Sequence, residues 1–388
     1  MTTNNVLVVT NYFPPEKGAA SNRMYAMAQG LAERGMKVHV VCPLPNYPKG
    51  SVFSEYRGKL YSKTRSESLK VHRLWLWPSN SGNKLIRLIS MVSFAWSLAL
   101  FFIFKKTPKK VIVQYSPVFV GFTAVFFGWL FRKKIIVNVS DLWPLAGLEM
   151  GLLQKGMYYS LLEKMERFCY KKAHLILGQS NEILDHITEI GIKKELSLYR
   201  NYPQFEPPIL HTKSFSGEIR IVYAGLLGVA QGMYHICQSI ELPDNISLHI
   251  YGSGPEAALI SALDKKNIEY HGEIARELLH KELLDYDVVF IPLVNRIYGS
   301  VPSKIFEYTR LGLPVLYFAG GEGEDIVTRY SLGWSIPVSN TQLLQKFMDV
   351  LSEESLVAYP RKDVQQQALE HFNFERQFSS FYKKLEAL

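Results

Sequence analysis

Short apolar runs alternate with longer segments of mixed polarity, and the chain does this twice. Residues 6–10, 38–42, 111–115, 135–139 and 175–177 have the length of strands and almost no polar alternation. Such runs are expected of parallel strands buried on both faces. Between them, 23–33 reads as a helix with Met24, Met27, Ala28 and Leu31 on one face and Gly35 as its stop. Residues 121–132, 158–173 and 182–190 read as further helices. A second series follows, with strands at 220–224, 246–251, 268–271, 287–292, 315–318 and 334–338. A helix at about 233–240 lies within it, and a last helix, 374–388, carries apolar Phe378, Phe381, Tyr382 and Leu385. Residues 204–217 contain Pro207 and Pro208, have no period, and read as a linker. Two β/α series predict two Rossmann-like domains facing a cleft. They are expected at 1–203 and 204–370, with 371–388 a helix packing back on the first domain.

Residues 85–104 form the most apolar segment, with an apolar core, 88–104, just below spanning length. Lys84, Arg87, Lys105 and Lys106 flank or enter it, and 121–132 repeats the pattern with Lys133 and Lys134 behind it. A helix between two strands of one sheet cannot also cross a bilayer. The expectation is therefore a sheet-packed helix whose outer aromatic face touches lipid, with deep burial as the alternative. Residues 43–70 read as irregular, with Pro45, Pro48, Gly50 and the basic Lys49, Arg57, Lys59, Lys63 and Arg65. That suits either a loop meeting an acceptor or a solvated charged loop.

The strand ends carry the candidate chemistry, because ligands of open α/β sheets bind there. Gly18, with small residues after it, follows the first strand; Asp141 follows 135–139. An acid so placed serves chemistry or caps a helix. Gly225, Gly228, Gln231 and Gly232 form a second glycine-rich loop, and 252–257 matches G-x-G-x-x-A, a weak signal when alone. Residues 299–318 read as loop, short helix, tight stop and buried strand: Pro302 and Ser303 suit N1 and N-cap, Gly312 suits C′, and Pro314 forbids continuation. Lys304 and Glu307, three apart, share a helical face. Beside a helix N-terminus they can serve a phosphate and a sugar diol together, or form a plain surface ion pair.

Composition narrows the choice of partners. The 388 residues are 47% hydrophobic and 20% charged, with net charge +9. That charge suits nucleic acid or anionic lipid. With no low-complexity basic run, zinc spacing or RNA-binding aromatic signature, nucleic acid is set aside. Cys42, Cys169 and Cys237 are scattered and odd in number, which points to a reducing compartment and away from disulfides or a metal. The first residues lack the basic and apolar regions of a secretory signal, so a cytoplasmic location is expected.

The ordered motifs resemble retaining glycosyltransferases of family 4, which have the GT-B fold. The resemblance spans nearly the whole chain: Tyr12-Phe13-Pro14-Pro15 with Gly18, Ser140 to Pro144, Tyr223 to Gly225 with Gln231 and Gly232, Tyr251 to Pro255, His271-Gly272, and Pro302 to Tyr308. The runs ending in Pro144 and Tyr308 are most similar to bacterial N-acetylfucosamine and related surface-polysaccharide transferases. The resemblance implies that Glu307 binds the donor ribose, and that 252–255 and 271–274, with His271, Gly272 and Ile274, line the nucleotide pocket. It also implies that the loops of Gly18 and of Gly225 to Gly232 lie against the diphosphate and sugar. No obligatory metal or enzyme nucleophile is implied. Three departures matter. Gly299 stands where a first glutamate is usual; Leu226 or Leu227, and Gln231, replace basic residues of the phosphate loop; Ser140 replaces a histidine. Lys304 and the amides around Ser300 to Ser303, with Pro302, are then expected to carry the diphosphate, and Asp141 to contact the donor sugar or acceptor hydroxyl.

The resulting expectation is transfer of an N-acetylated hexose from a UDP-linked donor to a lipid-linked or polysaccharide acceptor. The enzyme would be peripheral on the cytoplasmic face of the bacterial inner membrane. A nucleotide-sugar epimerase on the same fold is the alternative. An NAD-dependent dehydrogenase ranks below both, because the first βα turn lacks the glycine fingerprint and no Tyr-x-x-x-Lys pair occurs.

Overall fold

The computed structural model describes every residue except 1–3, 48–49, 80–82, 212–214, 216 and 339, and of residues 84, 85, 87 and 276 the backbone alone. Pro48 and Lys49, and the side chains of Lys84 and Arg87, therefore lie outside the described residues. The chain forms two compact units, one of Met1–Asn201 with Glu375–Leu388 and one of Tyr202–Phe374.

The first unit is built on β1 (Asn5–Val9), β2 (Lys37–Pro43), β3 (Tyr61–Arg65), β4 (Leu69–Leu74), β5 (Lys110–Gln114), β6 (Lys134–Val139), β7 (Leu175–Gly178) and β8 (Glu195–Leu198). Their order is β3-β4-β2-β1-β5-β6-β7-β8. The pairs are parallel except β3 with β4. Val6, Leu7, Val8 and Val9 are fully buried, as continuous apolar strands between two helical layers must be. The winding reverses between β1 and β5, which makes that edge the switch point of the sheet.

Two strands in the segment read as irregular correct the sequence expectation. β3 is polar and almost wholly exposed, and β4 buries His72 and Arg73 beside Val71 and Leu74. Their polar composition hid them. Tertiary partners make the burial tolerable: His72 Nδ1 meets Tyr61 Oη at 2.7 Å, and Arg73 donates to Thr64 Oγ1 at 3.0 Å and the Pro14 carbonyl at 2.8 Å.

The apolar segment is a helix, Lys84–Phe104, which buries Phe94, Ala95, Leu98, Phe101 and Phe102. Its outer face exposes Ile89, Val92, Trp96, Ile103 and Phe104, with Trp96 at 66% and Phe104 at 76%. The helix Val118–Leu130 packs beside it through Phe102 and Phe127, stacked at 6.1 Å, and ends in exposed Trp129 and Leu130. Among the described residues, no helix is long and apolar enough to cross a membrane.

From Glu375 on, the helix Phe374–Ala387 belongs to the first unit. Phe378 is fully buried; a Cβ on Gly30, in the helix Ala19–Glu33, would stand 2.7 Å from its Cζ. The Arg34 guanidinium covers the same ring at 4.5 Å and reaches Glu375 at 2.8 Å. Gln377 pairs like a strand residue with Arg200, accepting from its N–H at 2.8 Å and donating to its carbonyl at 3.0 Å.

The second unit has β9 (Ile219–Ala224), β10 (Ile246–Tyr251), β11 (Ile268–Gly272), β12 (Val288–Pro292), β13 (Val315–Phe318) and β14 (Gly333–Ile336). All are parallel, in the order β11-β10-β9-β12-β13-β14. Alternate residues of β9 feed two cores, Val222 and Ala224 on one face and Ile221 and Tyr223 on the other. The linker segment packs on this unit: the Phe205 carbonyl accepts from Arg310 Nε at 2.8 Å and the Pro208 carbonyl from Gln365 at 2.9 Å. Phe378→Ala is expected to cost the first unit about 3–5 kcal/mol, by cavity formation against a glycine that cannot fill it. Urea unfolding with a probe in that unit measures it.

Candidate active site

In the second unit the winding reverses between β9 and β12, so the loops at their C-terminal ends frame a crevice. The loops after β9 and β10 are fused backbone to backbone. Gly225 N–H donates to the Tyr251 carbonyl at 2.9 Å, and Leu227 N–H to the Ser253 carbonyl at 3.0 Å. A Cβ on Gly252 would lie 1.8 Å from the Gly225 oxygen, and one on Gly254 2.3 Å from the Leu227 oxygen. The glycines of the G-x-G-x-x-A run are thus required by the neighbouring loop, whatever else approaches them. Beyond them, Gly228 accepts the Gln231 and Gly232 amides at 3.0 and 3.2 Å, and the Gln231 Oε1 is buried with no hydrogen-bond partner among the described residues. Gly272 ends β11 in a left-handed conformation (φ 76°), and Ile274 packs against the core beneath.

The helix Lys304–Arg310 follows β12. Its stop is as the sequence implied: Gly312 N–H donates to the Thr309 carbonyl at 2.9 Å and Leu313 N–H to the Tyr308 carbonyl at 3.1 Å, a Schellman motif with Gly312 at φ 78°. Its start is not. Ser303 holds the cap position with helical dihedrals and no side-chain cap bond, and Pro302 lies outside the helix. The Ser300 amide is committed to the Ile297 carbonyl at 2.9 Å. With seven residues the helix has little dipole to offer. The charge at this edge comes from side chains.

Lys304 lies across the first glycine loop. Its ammonium is 4.4 Å above the Tyr223 ring, and a Cβ on Gly225 would be 1.8 Å from the Nζ. Burial pushes the ammonium down to about 8, against the pull of Glu307. Glu307 is held by His280, whose Nε2 is 2.8 Å from its Oε1; the His280 ring lies 4.3 Å from that of Phe205. The expected glutamate position before it is Gly299, at φ 84°, where a side chain would be strained. Tyr308 Oη ties the helix to the Ala224 carbonyl at 3.0 Å.

In the first unit the Gly18 loop is braced by residues the sequence reading passed over. Glu16, buried, accepts the Asn46 and Tyr47 amides at 2.8 and 2.9 Å, and burial raises its carboxyl above the usual range. Gly18 (φ 143°) precedes the helix, which begins at Ala19, a turn earlier than its apolar positions suggest. Asp141 is exposed at the end of β6, yet dense surroundings raise its carboxyl, opposed by Arg23. Arg23 is buried in the same helix, donates to Ser140 and Gln179, and its Nε has no partner among the described residues. Tyr115 Oη holds the motif by donating to the Trp143 carbonyl at 3.0 Å.

The structure thus gathers Gly225, Gly252, Gly254, Lys304 and Glu307 at one edge of the second unit, with Gly18, Ser140 and Asp141 at the corresponding edge of the first. His271 turns instead toward His249. Arg296, half-buried after β12, lays its guanidinium on Gly321, where a Cβ would be 2.1 Å from Cζ; it is a second cation near this edge that the sequence reading missed. An arginine just past a strand was its only signal. Arg23, inside a helix, and His280, in a polar one, gave none.

Residues 18–197 match the family description "Glycosyl transferase 4-like domain", and 215–353 match "Glycosyl transferases group 1". The chain is a glycosyltransferase of the GT-B type. Among solved structures it is similar to sucrose-phosphate synthase from Thermosynechococcus elongatus (TM-score 0.72, 13% identity, 99% of each chain covered). It is also similar to HepE of Anabaena in complex with UDP-glucose (TM-score 0.68, 12% identity, 99% of this chain and 100% of that one). A third is WaaG, a glycosyltransferase involved in lipopolysaccharide biosynthesis (TM-score 0.66, 12% identity, 98% and 99%). At these identities the likeness is one of fold. A search among curated protein sequences finds no match.

Lys304 gives a pH signature. Its folded value, about 8, lies below the ordinary 10.5, so the unfolded chain binds more protons between the two. This residue costs stability below that window, and the cost is relieved as pH rises from about 8 to 10.5. Lys304→Met is expected to lose that slope in denaturation series across the range. Acylation of Lys304, followed by mass spectrometry, should reach half-maximum near pH 8.

Proposed function

We propose that the protein transfers a sugar, an N-acetylated hexose, with retention from a UDP-linked donor to a lipid-linked or polysaccharide acceptor of bacterial surface glycan. The observation that carries this is the placement of Lys304 against Gly225 with Glu307 one helical turn on. The ammonium suits the diphosphate, and the carboxylate, steadied by His280, suits the ribose diol. As the bond from the anomeric carbon to the departing phosphate oxygen breaks, negative charge builds on the diphosphate. A cation already in place there stabilises the transition state more than the ground state. Lys304 and Arg296 fill the role that the missing basic residues of the 225–232 loop would have had, and Gln231 Oε1 lacks a partner in that loop. Asp141 is the group for the donor sugar or the acceptor hydroxyl; its raised carboxyl suits proton traffic. No metal is needed for this chemistry. The UDP-glucose held by HepE supports the choice of nucleotide, and the two glycosyltransferase domain matches disfavour an epimerase.

The acceptor is assigned from the exposed apolar stripe of Ile89, Trp96, Ile103 and Phe104, beside Trp129 and Leu130. Exposed Lys105, Lys106, Lys109, Arg132 and Lys134 stand at its end. Aromatic side chains beside lysines are the composition of a surface that enters an anionic interface, here the cytoplasmic face of the inner membrane.

Nucleotide release from a panel of UDP-, GDP- and TDP-sugars, with and without membrane lipid extract, tests the reaction. Release from one UDP-sugar only when lipid is present, with the donor's anomeric configuration kept in the product by NMR, is the expected result. Release equal without acceptor, or an inverted anomer, would sink it. Glu307→Ala should weaken donor binding by about 10- to 100-fold, the worth of hydrogen bonds to a charged group, without lowering Tm. Trp96→Glu should lower binding to anionic vesicles by roughly tenfold or more, and added salt should weaken the wild type.

A further inference from the structure

At the edge strand of the second sheet, three ligating side chains meet. β10 and β11 pair with His249 opposite Glu269 and Ile250 opposite Tyr270, but Tyr251 then faces Gly272. His271 is the extra residue of a bulge, a device that re-aims a side chain. Its Nε2 comes within 2.9 Å of His249 Nδ1. Glu269 Oε2 lies 3.5 Å from His249 Nδ1 and 3.6 Å from His271 Nε2. Around a four-coordinate zinc ion, with bonds of about 2.0–2.2 Å, ligand atoms stand about 3.4 Å apart. The three spacings bracket that value, but the two rings lie nearly in one plane, at 11° with centroids 5.2 Å apart, so their nitrogens face each other head-on. One ion is reached when the exposed His271 and Glu269 swing toward it.

The surroundings hold the ligands in place. His249 is buried, and its other nitrogen, Nε2, is 3.0 Å from Ser247 Oγ. With Nε2–H donated there, Nδ1 presents a lone pair, the outer partner that metal-binding imidazoles ordinarily have. The His271 ring is stacked on Tyr251 at 4.6 Å and 17°, which sets its plane. Glu269 and His271 are exposed, leaving an entry path and room for a water.

We infer that His249, Glu269 and His271 form a binding site for a borderline divalent transition metal, zinc first, with water as fourth ligand. Two imidazoles and one carboxylate favour such ions over magnesium and calcium, which prefer all-oxygen shells. Without metal, the short contact between the rings is a hydrogen bond from His271 Nε2–H to His249 Nδ1. On binding, that proton leaves Nε2 and the ring takes one up at Nδ1 from solvent, so the imidazole stays neutral while both facing lone pairs bind the ion. The ion would tie the edge strand to β10 directly below Gly252, whose amide donates to the Gly272 carbonyl at 2.8 Å. Its role is to stiffen that turn, and the transfer reaction does not require it.

The test uses the tag-free full chain, stripped with a chelator and exchanged into metal-free buffer. It is titrated with Zn²⁺ against a chromophoric competitor, and with Co²⁺ while visible absorption is followed. A single tight equivalent, the intense bands of four-coordinate Co²⁺ and a rise in Tm are expected, with none of these from Mg²⁺ or Ca²⁺. Glu269→Gln and His271→Gln should each weaken Zn²⁺ binding by about tenfold or more. Glu269→Gln, at an exposed position, should leave the metal-free Tm unchanged, whereas His271→Gln lowers it by stranding the buried His249 Nδ1. Zn²⁺ affinity unaltered in both variants, absence of a tight equivalent, or an equal response to Mg²⁺ overturns the site.

Discussion

The Lys304 ammonium lies where it does because Gly225 has no side chain. That contact is the constraint on which the second unit's binding edge depends. It requires the loop after β9 to be flattened against the loop after β10, and hence Gly252 against the Gly225 carbonyl. It requires the helix after β12 to be anchored to the end of β9, which Tyr308 does through the Ala224 carbonyl. Kept away from water, this cation is deprotonated more easily than a surface lysine, although the aromatic face beneath it favours the charge. An anion arriving beside it would restore the charge.

The first unit solves a different problem at its own edge. Its loops carry few glycines, and they are held by buried ionisable groups. Glu16 ties the Gly18 loop to Asn46 and Tyr47, and Arg73 braces the Pro14 carbonyl from β4, two strands away from β1. Arg23 reaches Ser140 and Gln179 from inside a helix. Each is desolvated at a cost offset by these hydrogen bonds, so removing one partner strands the other. Asp141 is set among these groups, exposed but not fully solvated in its chemistry.

Legibility in the sequence followed the kind of force involved. β1, β6, β9 and β12 are mostly apolar and were read within a residue or so, because a strand buried on both faces leaves little choice of composition. The Gly312 stop was read because only glycine fits that conformation before Pro314. β3 and β4 were not, since His72 and Arg73 are buried only by virtue of partners distant along the chain. The Ser303 cap was misread because a serine before a helix signals a bond that the side chain does not make here.

At the site, Lys304 and Glu307 were visible as a spacing of three, which suits either joint service to a phosphate and a sugar diol or a plain ion pair. Packing gives each its own support, Lys304 against Gly225 and Glu307 against His280, while Glu307 still pulls on the ammonium. The chain alone determined the two β/α series, the glycine loops and the residue types at the strand ends, because periodicity and backbone sterics are local properties. Only the tertiary structure decided what Gly252 packs against, that a bulge turns His271 toward His249, and that Arg296 comes to lie on Gly321. Those outcomes depend on which strands become neighbours, and strand order is set by the whole core rather than by any one stretch.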